Sequence, residues 1–247
     1  MRFEQPLVPG TLLRRYKRFL ADVELADGSV VTAHCPNSGS MATCKEPGRE
    51  VRLAPASSPK RKLRYTWELY HGGAGWVGIN THRANALVAE AIEVGDIPEL
   101  TGYPGLRREV RYGRNSRVDI LLESPEAPPC YVEVKNCTLL ASDGRVRFPD
   151  AVTERGRKHL AELEAIAAEG ERAVMLFLVN RDDGEGFGPA DHIDPVYGRR
   201  LREAAAAGVE VLAYRTRITP EAIRVAEAEA VDLADAGALA APGAIPG

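Results

Sequence analysis

No stretch of this sequence is long and apolar enough to cross a bilayer. The longest clean apolar run outside the C-terminal tail is AVMLFLV, Ala173 to Val179, which suits a buried strand. The N-terminus, MRFEQPLVPG, lacks the apolar core of a signal peptide, so the expected location is cytoplasmic. The four cysteines, Cys35, Cys44, Cys130 and Cys137, show no CxxC spacing. That leaves free thiols as the ordinary reading for a reducing compartment. Aromatics are few, at 6 %, and no internal repeat is visible. Large net charge is lacking too: the formal net charge is -3 over 247 residues. A polycation that coats nucleic acid by bulk charge is therefore excluded, while a local basic face is not.

The charge that is present is unevenly spread. Residues 1–80 carry 12 basic and 7 acidic side chains, a net of +5. Residues 81–219 carry 19 and 23, a net of -4, and the last 28 residues carry 1 and 5. The first third is a basic module on an acidic body, which points to an anionic partner or simply to a solvated basic face. Residues 221–247 are acidic and rich in Ala, Gly and Pro. They predict a frayed helix from about Glu227 and then a disordered tail.

Residues 1–80 read as a small β-barrel. Phe19, Ala21, Val23 and Leu25 alternate with Leu20, Asp22 and Glu24, and Asp27-Gly28 marks a hairpin turn into Ser29–Cys35. Further strands are expected at Glu50–Ala54, Leu63–Tyr70 and Gly75–Ile79. Short strands at this density suit an OB-like barrel. Arg14, Arg15, Lys17 and Arg18 surround Tyr16 on the expected first strand, and Lys60, Arg61, Lys62 and Arg64 precede Tyr65 and Trp67. Cations interleaved with rings suit a nucleic-acid groove. Equally, Tyr65 and Trp67 suit the barrel interior, with the cations merely exposed.

Residues 81–220 alternate in type. Helices are expected at about Arg83–Glu93, Ala151–Glu169 and Pro195–Ala207. Strands are expected at Arg108–Tyr112, Ser116–Glu123, Cys130–Lys135, Ala173–Asn180 and Val209–Tyr214. The order αβββαβαβ describes one mixed α/β domain. Asp119 sits inside the apolar strand RVDILLE, where a carboxylate is costly unless paired. Glu133 and Lys135 stand two apart in YVEVKN, hence on one strand face, with Val132 and Val134 on the other. If the two strands pair, Asp119, Glu133 and Lys135 converge. Two carboxylates with a backbone carbonyl make a hard oxygen site for Mg²⁺ or Mn²⁺, and the lysine stands where it would act on an attacking water.

This region resembles the PD-(D/E)xK nuclease superfamily: a strand Asp, then a strand E-x-K, in an α-β-β-β-α-β core. That resemblance implies a further metal-binding acid on the preceding helix, here Glu90. It also implies polar residues near the site on the following helix, where Arg155 and His159 share a face. The alternatives are an exposed Glu–Lys pair, a solvated helix acid and a structural histidine.

A wider resemblance covers residues 3 to 218. RRYKRFLADV, HCPNSGSM, TWEL, NTHRAN, SRVDILL, CYVEVKN, FPDAVTERGRKHL and EGERAVMLF occur in the order found in the bacterial and archaeal sugar fermentation stimulation protein family. The resemblance implies an α+β, mixed architecture: an N-terminal OB-like β-barrel followed by an α/β restriction-endonuclease-like (PD-(D/E)xK) domain. It also implies largely nonspecific DNA binding and a regulatory role in maltose metabolism. In HCPNSGSM, His34, Asn37 and Ser38 either shape a tight turn or face nucleic acid. The expected function is thus a DNA-binding protein with a Mg²⁺- or Mn²⁺-dependent nuclease site. The rivals are a regulator that keeps the nuclease fold as scaffold, an RNA-acting nuclease, and an oligosaccharide-binding barrel.

Overall fold

The computed structural model describes residues 1–58, 60–112 and 116–234. The first six strands are β1 (Val8–Tyr16), β2 (Leu20–Leu25), β3 (Val30–His34), β4 (Glu50–Pro55), β5 (Tyr65–His71) and β6 (Trp76–Gly78). The β1–β2 and β2–β3 hairpins pair antiparallel, and β4 bridges β1 and β5. A parallel contact between His34 and Thr66 joins β3 to β5 and closes five strands into an OB-like barrel. Strand β6 extends the sheet beside β5. Closure leaves the interior-facing residues with no route to solvent: Leu12, Val23, Leu53 and Trp67 are fully buried. Trp67 therefore fills the barrel and does not stack on bases. Its Nε1 donates to the Leu69 carbonyl (2.9 Å), which satisfies the indole's one polar atom.

The second part begins with α1 (Ala84–Val94) and continues through β7 (Gly105–Tyr112), β8 (Ser116–Ser124), β9 (Ala127–Cys137), β10 (Leu139–Leu140), β11 (Val146–Phe148) and α2 (Glu154–Ala168). It ends with β12 (Arg172–Val179), β13 (Phe187–Pro189), α3 (Pro195–Ala206), β14 (Glu210–Thr219) and β15 (Ala222–Ala228). Six of these strands form one sheet in the order β15-β14-β12-β9-β8-β7, and β10, β11 and β13 form a small second sheet. The β7–β8–β9 meander is antiparallel, and β9, β12 and β14 are parallel. Helix α1 covers one face over Ile120, Val132 and Leu176. Helices α2 and α3 cover the other over Phe177, Val179 and Ala213. Thr153 caps α2 by accepting from the Gly156 N–H (3.0 Å), and Asp194 caps α3 by accepting from Tyr197 (2.9 Å).

One expectation fails here. Ala222–Ala228 is the edge strand β15, not the start of a disordered tail or of a helix. Ile223 and Val225 alternate with exposed Arg224 and bury against the α1 side of the core, while β14 supplies the ladder. Tertiary pairing overrides the helix propensity of an Ala- and Glu-rich stretch. Residues 235–247 of the expected tail lie outside the described residues.

The two parts are bolted together by buried polar groups. Arg181, 1 % exposed, pairs with Asp183 (2.9 Å) and donates to the Thr138 carbonyl and to Thr43 Oγ1 of the barrel (3.4 Å). Glu68, 2 % exposed on β5, takes a two-point contact from Arg83 (2.7 and 2.9 Å) at the entry to α1.

Trp67→Ala should cost about 3–5 kcal/mol in urea melts, as large aromatic truncations in cores do.

Candidate active site

The site lies where two paired strands part. Strands β8 and β9 are in register up to Ile120–Val132. The next residues, Asp119 and Glu133, face the α2 side. Beyond them the Val134 N–H leaves the ladder and donates to Asp119 Oδ2 (2.8 Å). The other Asp119 oxygen accepts from Asn85 Nδ2 (2.8 Å) at the first turn of α1. Asn85 Nδ2 is also 2.9 Å from Glu109 Oε1. Glu109 stands on β7 with φ +54, an uncommon conformation for a residue with a side chain.

Glu133 is 3 % exposed. Its Oε1 accepts from Lys135 Nζ (2.6 Å) and contacts His159 Nδ1, which α2 delivers from the face it covers. Arg155, one turn earlier, donates Nε to His159 Nε2 (3.3 Å). A carboxylate can only accept, so the Nδ1–H of His159 donates to Glu133; Lys135 Nζ stands 3.1 Å from the same ring nitrogen.

The two carboxylates are unequal. Burial, and after it the charge of Glu133, pushes the Asp119 carboxyl up to about 6; the Val134 N–H and Lys135 only partly offset this. Burial also raises Glu133. The His159 hydrogen bond and the Lys135 charge outweigh it, and Glu133 stays below the usual carboxylate range. A buried and a half-buried carboxylate in mutual repulsion fit a hard divalent cation. Among the described residues no three or more His, Cys, Asp or Glu form a closed cage. A pair of carboxylates suits Mg²⁺, which keeps several waters and takes only one or two carboxylates.

Above the acids is a cleft of about 430 Å³. Asn85, Val134 and Lys135 form its floor. Asn37, Ser38 and Gly39 of the barrel line one wall, and Phe148–Thr153 the other. Asp150 Oδ2 ties the walls by accepting from the Met41 N–H (3.2 Å) and Ser40 Oγ (3.4 Å). Its carboxylate occupies the space where a side chain on Gly39 would sit.

The structure brings Asp119, Glu133, Lys135, His159 and Arg155 together. Glu90 does not join them. Its carboxylate turns to the far side of α1 and pairs with the Met1 ammonium (2.9 Å), while Asn85 is the α1 residue that reaches Asp119. Five residues of helix rotate a side chain well away from the starting face. Arg15 is also reassigned. Its guanidinium donates to the carbonyls of Asn37 (2.9 Å), Gly39 (3.0 Å) and Ser40 (3.3 Å), so it shapes the cleft wall from behind. Arg14 is held by Asp22 (2.8 Å) and lies over the Tyr16 ring. Lys17 and Arg18 are on the β1–β2 turn, not on the strand, and Arg18 lines the cleft. Lys60, Arg61, Lys62 and Arg64 are exposed, with Arg61 bonded to Thr66 Oγ1 (2.9 Å). Tyr65 packs against the barrel core.

In HCPNSGSM, Asn37 is 5 % exposed and accepts from the Gly39 N–H (2.9 Å), which makes it a turn former. Ser38 is exposed on the cleft, and His34 pairs with Leu20 on β3. Asn85, Glu109 and Asp150 escaped the sequence reading. An Asn on a helix, a Glu among strand arginines and an Asp in a loop carry no local signal; each matters through a partner far along the chain.

Comparisons with known proteins agree with this fold. A family model described as the sugar fermentation stimulation protein RE domain matches residues 82–222, and one described as the SfsA N-terminal OB domain matches residues 13–79. A protein of Acidithiobacillus ferrooxidans named sugar fermentation stimulation protein homolog is 60 % identical over 224 residues, covering 91 % of this chain and 97 % of its own. A protein of the same name from Geobacter sulfurreducens is 59 % identical, covering 90 % and 95 %. The structure of Pyrococcus furiosus SfsA in complex with Ca²⁺ superposes with a TM-score of 0.83 at 29 % identity, over 94 % of this chain and 98 % of that one.

The raised Asp119 carboxyl has a consequence for stability. The folded chain holds this proton more tightly than the unfolded chain, in which the ordinary value is 3.8. The contribution is present below about pH 4 and is lost as the pH rises through about 6, by about 2–3 kcal/mol. In metal-free buffer Asp119→Asn should be the more stable protein near pH 7, with the gap closing toward pH 4. Urea melts across that range check it; a gap independent of pH contradicts it.

Proposed function

Since the chain belongs to the sugar fermentation stimulation protein family, we propose that it is a nucleic-acid-binding protein with a divalent-metal-dependent phosphodiesterase site in its second domain. The observation that carries this reading is the meeting of Asp119, Glu133 and Lys135 where the two strands part: Lys135 lines the cleft with its Nζ 2.6 Å from Glu133 Oε1, and the Val134 N–H beside it donates to Asp119. Asp119 and Glu133 would hold the cation, Mg²⁺ or Mn²⁺; a relative of known structure is described in complex with Ca²⁺, another hard, oxygen-seeking ion. Bound there, the cation would supply Lewis-acid stabilisation of charge on a phosphodiester.

The rest falls to the chain's own side chains. Asn85 and the Val134 N–H orient Asp119. His159 fixes Glu133 from α2, so the acids do not depend on a loop for their placement. Lys135, with its side chain 13 % exposed, keeps its ammonium at the cleft floor, where it orients the attacking water. Arg155 stands at the α2 rim beside His159 and is placed for a phosphate oxygen. The exposed cations on Lys17, Arg18 and Lys60–Arg64 give the barrel side the positive potential that a polyanion needs.

Calorimetric titration of Mn²⁺ should give binding in the wild type and none in Asp119→Ala/Glu133→Ala. Lys135→Ala should keep the metal and lose at least about a hundredfold in cleavage rate. If metal binds yet no DNA or RNA is cut above the level of the double variant, the fold serves here as a scaffold for binding, and the enzymatic half of this reading fails.

A further inference from the structure

The barrel is not a tether set beside the active domain; one of its turns belongs to the active cleft. Strand β1 ends at Tyr16 and β2 resumes at Leu20, its Cα partner. The three residues between are Lys17, Arg18 and Phe19, all exposed. Lys17 and Arg18 both adopt left-handed backbone, at φ +46 and +62. Glycine or asparagine would take these positions with less strain. Strain of this kind, kept in two consecutive residues, is a reason to look for a function of their side chains. Phe19 leaves 45 % of its surface to solvent, a large ring with no core to enter. Arg18 lines the same cleft whose floor holds Lys135.

The cleft's size and stiffness restrict what enters it. About 430 Å³ is room for one nucleotide-sized group, in the range of ordinary small-ligand pockets. Its walls cannot swing apart freely. Asp150 pins the Ser40–Met41 backbone, Arg15 holds three carbonyls of the same loop, and Thr43 Oγ1 donates to the Thr138 carbonyl (3.2 Å). That volume suits one unpaired nucleotide better than a base together with its complement.

We infer that the cleft takes a single nucleic-acid strand, and that the Lys17–Phe19 turn guides it, Arg18 gripping a phosphate and Phe19 stacking a base. The inference rests on the proposed phosphodiester site and names its substrate class. Among the first-strand cations it singles out the turn: Arg14 and Arg15 are spent on Asp22 and on the loop carbonyls.

The test is strand binding by the full chain, read by fluorescence anisotropy in Ca²⁺ with a Glu133→Gln background, so that turnover plays no part. The probes are DNA and RNA single strands of about 12 nucleotides and the matching duplex, a length within the usual single-strand site range. Both single strands, or one of them, should bind at least about tenfold more tightly than the duplex. Arg18→Ala and Phe19→Ala should each weaken that binding about tenfold. Arg18→Ala should also reduce the slope of log K against log salt by about 0.7, the value of one phosphate contact on a single strand. Arg217→Ala, on the distant β14–β15 hairpin, should change neither.

Arg18→Gly separates function from folding. It relieves the left-handed strain, so its melting temperature should equal or exceed that of the parent while its affinity falls like that of Arg18→Ala. Duplex binding equal to or tighter than single-strand binding overturns the inference. So does unchanged affinity in the Arg18 and Phe19 variants; in that case nucleic-acid binding stands and only the path of the strand is wrong. No binding of any probe by the parent protein defeats the proposed function as well.

Discussion

A buried carboxylate, Glu133, set beside a half-buried one, Asp119, is the constraint around which this chain is arranged. Asp119 and Glu133 sit on neighbouring strands with little water to screen them, an arrangement that is unfavourable by itself. The fold answers with donors from four places: the Val134 backbone, Asn85 at the start of α1, Lys135 on the same strand, and His159 on α2. Each donor fixes an element. The parting of β8 from β9 frees the Val134 N–H, α1 must start where Asn85 can reach the sheet end, and α2 must cross so that His159 meets Glu133. The residual repulsion is what a divalent cation would neutralise.

The second organising feature is the seam between barrel and α/β domain. It is built largely from buried polar groups: Arg181 with Asp183 and the Thr138 carbonyl, Glu68 with Arg83, and Asp150 with the Ser40–Met41 segment. Polar contacts of this kind demand particular geometry, so they fix the angle between the parts more strictly than apolar packing would. Because the seam is rigid, the cleft above the acids has a set width, and a barrel turn can act as one wall of it.

Arginines within five residues of one another show how context divides one residue type. Arg14 neutralises Asp22, Arg15 satisfies loop carbonyls, and Arg18 is exposed at the cleft. Their spacing along the chain distinguishes none of these roles. The guanidinium's several donors let it complete a loop as readily as it binds phosphate.

Local periodicity was enough to reveal most of the architecture. Alternation over Phe19–Leu25 and the Asp27-Gly28 turn into Ser29–Cys35 marked the barrel hairpin, and the i, i+2 spacing of Glu133 and Lys135 set both on one face opposite Val132 and Val134. The strand Asp and the E-x-K pair were legible because a strand's period of two is a local property. Other features came from contacts between distant residues. Glu90 and Asn85 share a helix, and only the docking angle of α1 decides which of them meets Asp119. Ile223 and Val225 became a strand because β14 offered an edge. Met41 and Asp150 meet across 109 residues of chain. A sequence states which side chains share a face; which face meets which is decided by strand register and element docking, since those depend on burying the whole set of apolar surfaces at once.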